Sequence, residues 1–230
     1  MKLNLLALLL ATTAMTAACS DDDDNTGPVG EASVRVVHAS PDAPAVDVLV
    51  DDASVLTGVP YLAASDYLDV PAGARNLKVN AAGTATTVID ADVDLVDGTD
   101  YTVIASGLVA AIEPIVLADD NSAPSAGNAR VRAIHGAASA PAVDIYVTAP
   151  GADLAAETPA LANVGFGDVA DYIEAPAGDY QVRVTPTGTK TVVIDSGTLT
   201  LASGQVRTAI AVDAAGGGAP FGLLLLEDLN

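Results

Sequence analysis

The chain has 230 residues, half of them hydrophobic, yet only 3% aromatic and without Trp, and its 9 basic and 30 acidic side chains leave a formal net charge of −21. That length allows one large domain or two small ones, with a core of Ala, Val, Leu and Ile and no aromatic-lined pocket for sugars or bases. The charge excludes a nucleic-acid partner, because such binding rests on Lys and Arg neutralising phosphates.

Residues 1–18 read MKLNLLALLLATTAMTAA: one Lys, an apolar run from Leu5 to Ala11, then small residues. This is the pattern of a secretory signal peptide, too short for a membrane-spanning helix of roughly 20 apolar residues. Cys19 is the only cysteine, so it makes no disulfide within the chain. Its place after Ala17 and Ala18 resembles the bacterial lipobox, although Thr16 stands where Leu is usual. The resemblance implies lipid attachment at Cys19 and cleavage before it. Residues 19–30 carry four consecutive Asp, Asp21 to Asp24, which repel one another and make a solvated tether. A Ser-Asp run after a lipidated Cys also resembles the surface-export signals of some Gram-negative lipoproteins. The expected address is the bacterial cell envelope, lipid-anchored in the outer membrane, periplasmic or surface-exposed, with the membrane as one partner.

From residue 31 the chain is written twice. VRVVHASPDAPAVDVLV (34–50) matches VRAIHGAASAPAVDIYV (131–147), DYLDVPAG (66–73) matches DYIEAPAG (171–178), NLKVNAAGT (76–84) matches QVRVTPTGT (181–189), and TTVID (86–90) matches TVVID (191–195). The second copy carries extra residues around 148–162. The expected division is 31–120 and 129–230, with a polar linker at 121–128 that lets each unit close its own core.

Within each copy the hydrophobic period is two. Val34, Val36 and His38 share one face, as do Val46, Val48 and Val50, while Asp47 and Leu49 point the other way. Short alternating runs with Gly-containing turns predict an all-β chain of two tandem immunoglobulin-like antiparallel β-sandwiches. Leu95 and Tyr101 in LVDGTDY resemble the tyrosine corner of immunoglobulin-like domains, which implies a phenol capping a backbone carbonyl; Arg207 replaces the Tyr in the second copy. The His-Ala-Ser-Pro-Asp-Ala-Pro-Ala-Val-Asp block, followed by YLDVPAG and an alternating strand, resembles the bacterial domain of unknown function 4397. That resemblance implies a secreted or lipid-anchored immunoglobulin-like module and no particular activity.

The repeated block holds both histidines, His38 and His135, and a matched acid in each copy, Asp47 and Asp144. If residues 39–45 close a hairpin, Arg35 falls on the face of Asp47 and Arg132 on that of Asp144, so each Asp is expected to pair with the Arg across the strands. Each His is then a strand-end imidazole bonding loop backbone. One His per unit is a poor zinc set, and no nucleophile motif accompanies it. Asp90, Asp92 and Asp94 alternate with apolar residues, as on the wet face of a strand; Leu95 and Tyr101 stand where a calcium loop needs Gly and Glu. The reading is a non-catalytic scaffold or binding module with no catalytic residue, metal or cofactor, facing an envelope protein or polysaccharide partner. Its rival is a hydrolase or weak calcium-binding module acting on envelope polysaccharide or peptide.

Overall fold

The computed structural model describes residues 30–229. The signal peptide, Cys19 and the Asp run lie outside the described residues. The first copy forms β1 (Glu31–Ala39), β2 (Val46–Val50), β3 (Ala53–Val59), β4 (Leu68–Pro71), β5 (Gly73–Ala81), β6 (Thr87–Leu95), β7 (Asp100–Ser106) and β8 (Glu113–Asp119). The second forms β9 (Asn128–His135), β10 (Val143–Thr148), β11 (Leu161–Val164), β12 (Ile173–Pro176), β13 (Gly178–Pro186), β14 (Ile194–Leu201), β15 (Val206–Val212) and β16 (Gly222–Leu229).

Each copy is a sandwich of two four-stranded sheets with the same order. The first copy has β4-β1-β7-β8 over β3-β2-β5-β6; the second has β12-β9-β15-β16 over β11-β10-β13-β14. The pairing is antiparallel except at the centre of one sheet in each copy, where β1 runs parallel to β7 and β9 parallel to β15. The period of two explains the layers. Val34 and Val36 of β1 meet Val48 and Val50 of β2, Leu77 of β5 and Val103 of β7 between the sheets. Burying each such side chain contributes about 1.5–3 kcal/mol.

The expected hairpin between β1 and β2 does not form. The connection at residues 40–45 carries Pro41 and Pro44, and it crosses from one sheet to the other. Strand β1 lies between β4 and β7; β2 lies between β3 and β5. Arg35 and Asp47 therefore sit in different sheets, as do Arg132 and Asp144.

The copies are not joined by the linker alone. β1 is buried on both faces: beyond the sandwich, Val37 and Ala39 pack with Ile104 of β7, and these meet Ile134, Ile210, Val212 and Leu226 of the second copy in one cluster. The inner sheets of the two copies thus pack face to face. The linker is itself fastened: Arg130 binds Asp120 at 2.7 Å and Glu174 at 3.1 Å. Hydrogen bonds from Asn128, Arg130 and Ser125 hold the Glu174 carboxyl down at about 2.

Candidate functional site: the repeated block and the face between the copies

The histidines end β1 and β9, on the inward side of each sandwich, and both are fully buried. His38 Nε2 lies 3.0 Å from the Pro44 carbonyl, and its Nδ1 accepts the Ser40 N–H at 3.3 Å. These partners assign the neutral tautomer with the proton on Nε2. Burial pushes the His38 pKa below its ordinary 6.5, partly opposed by the bond to Pro44. His135 Nε2 likewise meets the Pro141 carbonyl at 3.1 Å. A ring stands edge-on to each imidazole, Tyr61 at 6.0 Å and Phe166 at 6.5 Å between centroids. Each histidine pins the proline-bearing crossover to the end of its strand.

Asp47 and Asp144 do a different job. Asp47 accepts the N–H groups of Gly58 at 2.7 Å and Gly83 at 2.9 Å; Asp144 accepts those of Asn163 at 2.9 Å and Gly188 at 2.8 Å. All four donors have positive φ, between 56° and 76°. The carboxylate ties the end of the edge strand to the turn of the neighbouring hairpin, where the left-handed backbone favours Gly or Asn. These backbone N–H groups lower the Asp47 pKa, Gly83 most. The acid of the block is a turn clasp, not the partner of Arg35 or Arg132.

The arginines face the other copy. Arg35 donates to Asp228 at 2.7 Å, to Thr102 Oγ1 at 2.7 Å and to the Glu227 carbonyl at 3.0 Å. Arg132 donates to Asp119 at 2.6 Å and to Thr208 Oγ1 at 3.0 Å. Tyr67 donates to Asp119 at 2.7 Å and Tyr172 to Asp228 at 3.1 Å, and the same rings lie under Arg35 and Arg132 at 4.8 and 4.6 Å. Thr102 and Thr208 complete the carboxylates' shells. The exchange is reciprocal: the Arg of each copy binds the Asp that ends the other, and both carboxylates have fully buried side chains. Burial raises Tyr67 to about 12, with the Asp119 carboxylate adding to the rise.

Asp119 and Asp228 are residues that the sequence does not single out. Their signal was faint, an acid in register near the end of each copy, in LAD (117–119) and LED (226–228). Tyr67 and Tyr172 lay in plain view within the matched DYLDVPAG and DYIEAPAG. Asp90, Asp92 and Asp94 are exposed along β6, and Asn76 donates to the first two at 2.8 and 2.9 Å. Among the described residues no group of three or more His, Cys, Asp and Glu side chains is placed to hold a metal ion.

The model of the domain of unknown function DUF4397 matches residues 32–146 and again 147–230. The chain belongs to the DUF4397 family. The match covers both sandwiches of this DUF4397 protein. No curated protein matches it. Among solved structures it is similar to a streptococcal virulence factor described for alpha-glucan binding, at 12% identity over 77% of this chain and 91% of that one, with a TM-score of 0.25. It is also similar to a family CBM26 module of Eubacterium rectale Amy13K solved with maltoheptaose, at 10% identity over 86% and 96%, with a TM-score of 0.26. A leucine-rich repeat protein of Bacteroides thetaiotaomicron matches at 13% identity, with a TM-score of 0.19; the match covers 83% of this chain and 27% of that one. Scores of this size leave the fold of the DUF4397 protein to be read from its own strands.

Proposed function

We propose that the chain is a non-catalytic display module of the bacterial envelope, held by lipid at Cys19 and presenting its two sandwiches as one rigid body to an envelope protein or polysaccharide. The observation that carries this reading is how the twice-written block uses its polar atoms. His38 and His135 hold loop carbonyls, Asp47 and Asp144 hold turn N–H groups, and Arg35 and Arg132 hold the other copy. A general base needs a free nitrogen or oxygen aimed at a substrate proton, and a glycoside hydrolase needs two carboxylates across a cleft. The block's side chains are committed to backbone or to the other copy, and the one ring nitrogen without a partner among the described residues, His135 Nδ1, is buried away from solvent. The lipobox-like sequence before Cys19 supports the anchor, since several acyl chains on one residue make attachment stable where one chain is marginal.

The test uses the full chain expressed in a Gram-negative host. The expected outcome is recovery with the detergent phase, transfer of Cys19→Ser to the soluble fraction, and retention on sedimented envelope polysaccharide without release of soluble fragments. Membrane retention of Cys19→Ser would refute the anchor. Fragment release that disappears on His38→Ala would make the block a catalytic site.

A further inference from the structure

The two sandwiches differ in how they are filled. Between the sheets of the first copy only a void of about 20 Å³ remains. The same place in the second copy holds a cavity of about 160 Å³, lined almost wholly by carbon, with Val131, Ile145, Val182, Leu199 and Leu201 in its walls.

The sequence accounts for the difference position by position. Val36 and Val103 are neighbours across β1 and β7; the same neighbours across β9 and β15 are Ala133 and Ala209. Val70, opposite Ala32, becomes Ala175, opposite Ala129. All three alanines line the cavity. The edge is altered as well. In the first copy β3 follows β2 to its end, pairing Ala53 with Val50. In the second copy the pairing of β11 with β10 stops at Ile145 opposite Leu161, so the end of β10 is left without a β11 neighbour and its inward-facing Val147 is open. Val50 is 8% exposed and its counterpart Val147 46%; Ile173, in the position of half-buried Leu68, is 51% exposed. Hollow and missing edge coincide, so the cavity has a mouth between β11 and β12.

We infer that the second sandwich is a binding site for a short unbranched aliphatic chain carrying a neutral or cationic head. The volume fits such a segment: an apolar cavity of roughly 150 Å³ stays dry and admits benzene. Sugar hydroxyls are excluded, because the walls offer them no hydrogen-bond partner. The head group follows from charge. The exposed Asp171 stands at the mouth, on a chain of net charge −21, and both repel an anionic head. This site is independent of the face between the copies and of whether the chain is anchored.

The probes are 1-butanol, 1-pentanol, 1-hexanol, hexylammonium and hexanoate, titrated into the purified chain and followed by the methyl NMR resonances of both sandwiches. Saturable shifts are expected at Val147, Leu199 and Leu201, with those of Val50, Leu77 and Leu95 unmoved. Each added methylene should tighten binding about fourfold. Hexanoate should bind at least tenfold more weakly than hexanol. The double variant Ala133→Val/Ala209→Val, which restores the first copy's residues, should weaken hexanol tenfold or more. Ala175→Val serves the same purpose if the double variant does not fold. Shifts shared equally by both sandwiches, affinity independent of chain length, absence of saturation, or undiminished binding by the filled variants would each overturn the inference.

Discussion

His38 has both ring nitrogens bonded, whereas His135 Nδ1 has no partner among the described residues. Ser40 offers its backbone N–H back to the ring in the first copy; its counterpart Ala137 carries the same group, but in the second copy that bond is not made. Replacing His38 by Ala removes the bond to Pro44 and leaves a void, so it should cost about 1–3 kcal/mol in urea titration. Asp47→Ala should cost less, because the clasp it forms is bathed in solvent. The direction of the His38 shift also sets a pH dependence. Above the ordinary value of 6.5 the ring is neutral in both the folded and the unfolded chain, and its contribution is fully present. As the pH falls below that value the unfolded chain takes up a proton that the folded chain resists, and stability is lost until the lowered folded pKa is passed. Between about pH 7.5 and about pH 5.5 the wild type should therefore lose more stability than His38→Ala. Parallel losses in the two proteins would show that the ring does not titrate on unfolding.

At the level of the strands, alternation was enough to place β1, β2 and β5 and to assign the inward faces of the first two. It could not say which strands share a sheet, since a six-residue connection can reverse within a sheet or cross to another. That one ambiguity misassigned the partners of Arg35 and Asp47. The corner at Tyr101 shows the same limit at shorter range. The phenol is buried at the expected bend, but its oxygen accepts the Val96 N–H at 3.1 Å instead of capping a carbonyl. The second copy keeps the register, with Arg207 opposite Val131 as Tyr101 is opposite Val34, and there the side chain reaches Glu227 on β16. One position thus stabilises its sandwich by a bond to a turn in one copy and by a cross-strand ion pair in the other. Tyr101→Phe keeps the ring and loses the acceptor, so it should shift the urea midpoint by the equivalent of about 1 kcal/mol. An unchanged midpoint would mean that water replaces the phenol oxygen at no cost. The hollow in the second sandwich was legible residue by residue, as Val36, Val70 and Val103 against Ala133, Ala175 and Ala209, but only an alignment fixed by strand register makes those pairs comparable.

On the scale of the molecule, the face between the copies decides how the chain unfolds. Its apolar part joins Val37 and Ile104 to Ile134 and Ile210, all completely buried. Its polar part places two arginines and two aspartates out of water, and the shortest ion pair of each carboxylate crosses between the copies. Such a pair adds little over a well-packed apolar contact, but removing one partner strands the other charge and costs about 3–5 kcal/mol. Arg35→Ala in the first copy leaves Asp228 of the second with Thr208 and Tyr172 alone. Arg132→Ala leaves Asp119 with Thr102 and Tyr67, and with Arg35 at 3.9 Å. Because the two arginines share that carboxylate, the double variant should cost less or more than the sum of the singles, not the sum itself. The linker alone would let the copies unfold separately; the shared face predicts that the intact chain unfolds in one transition and that damage crosses it. The decisive measurement is urea unfolding of Arg35→Ala followed by methyl resonances from both sandwiches. Loss of stability is expected in the second sandwich as well as the first, since the stranded Asp228 belongs to the second. Destabilisation confined to the first, with the second melting as in the wild type, would mean that the two copies are independent domains whose buried contact carries no coupling energy.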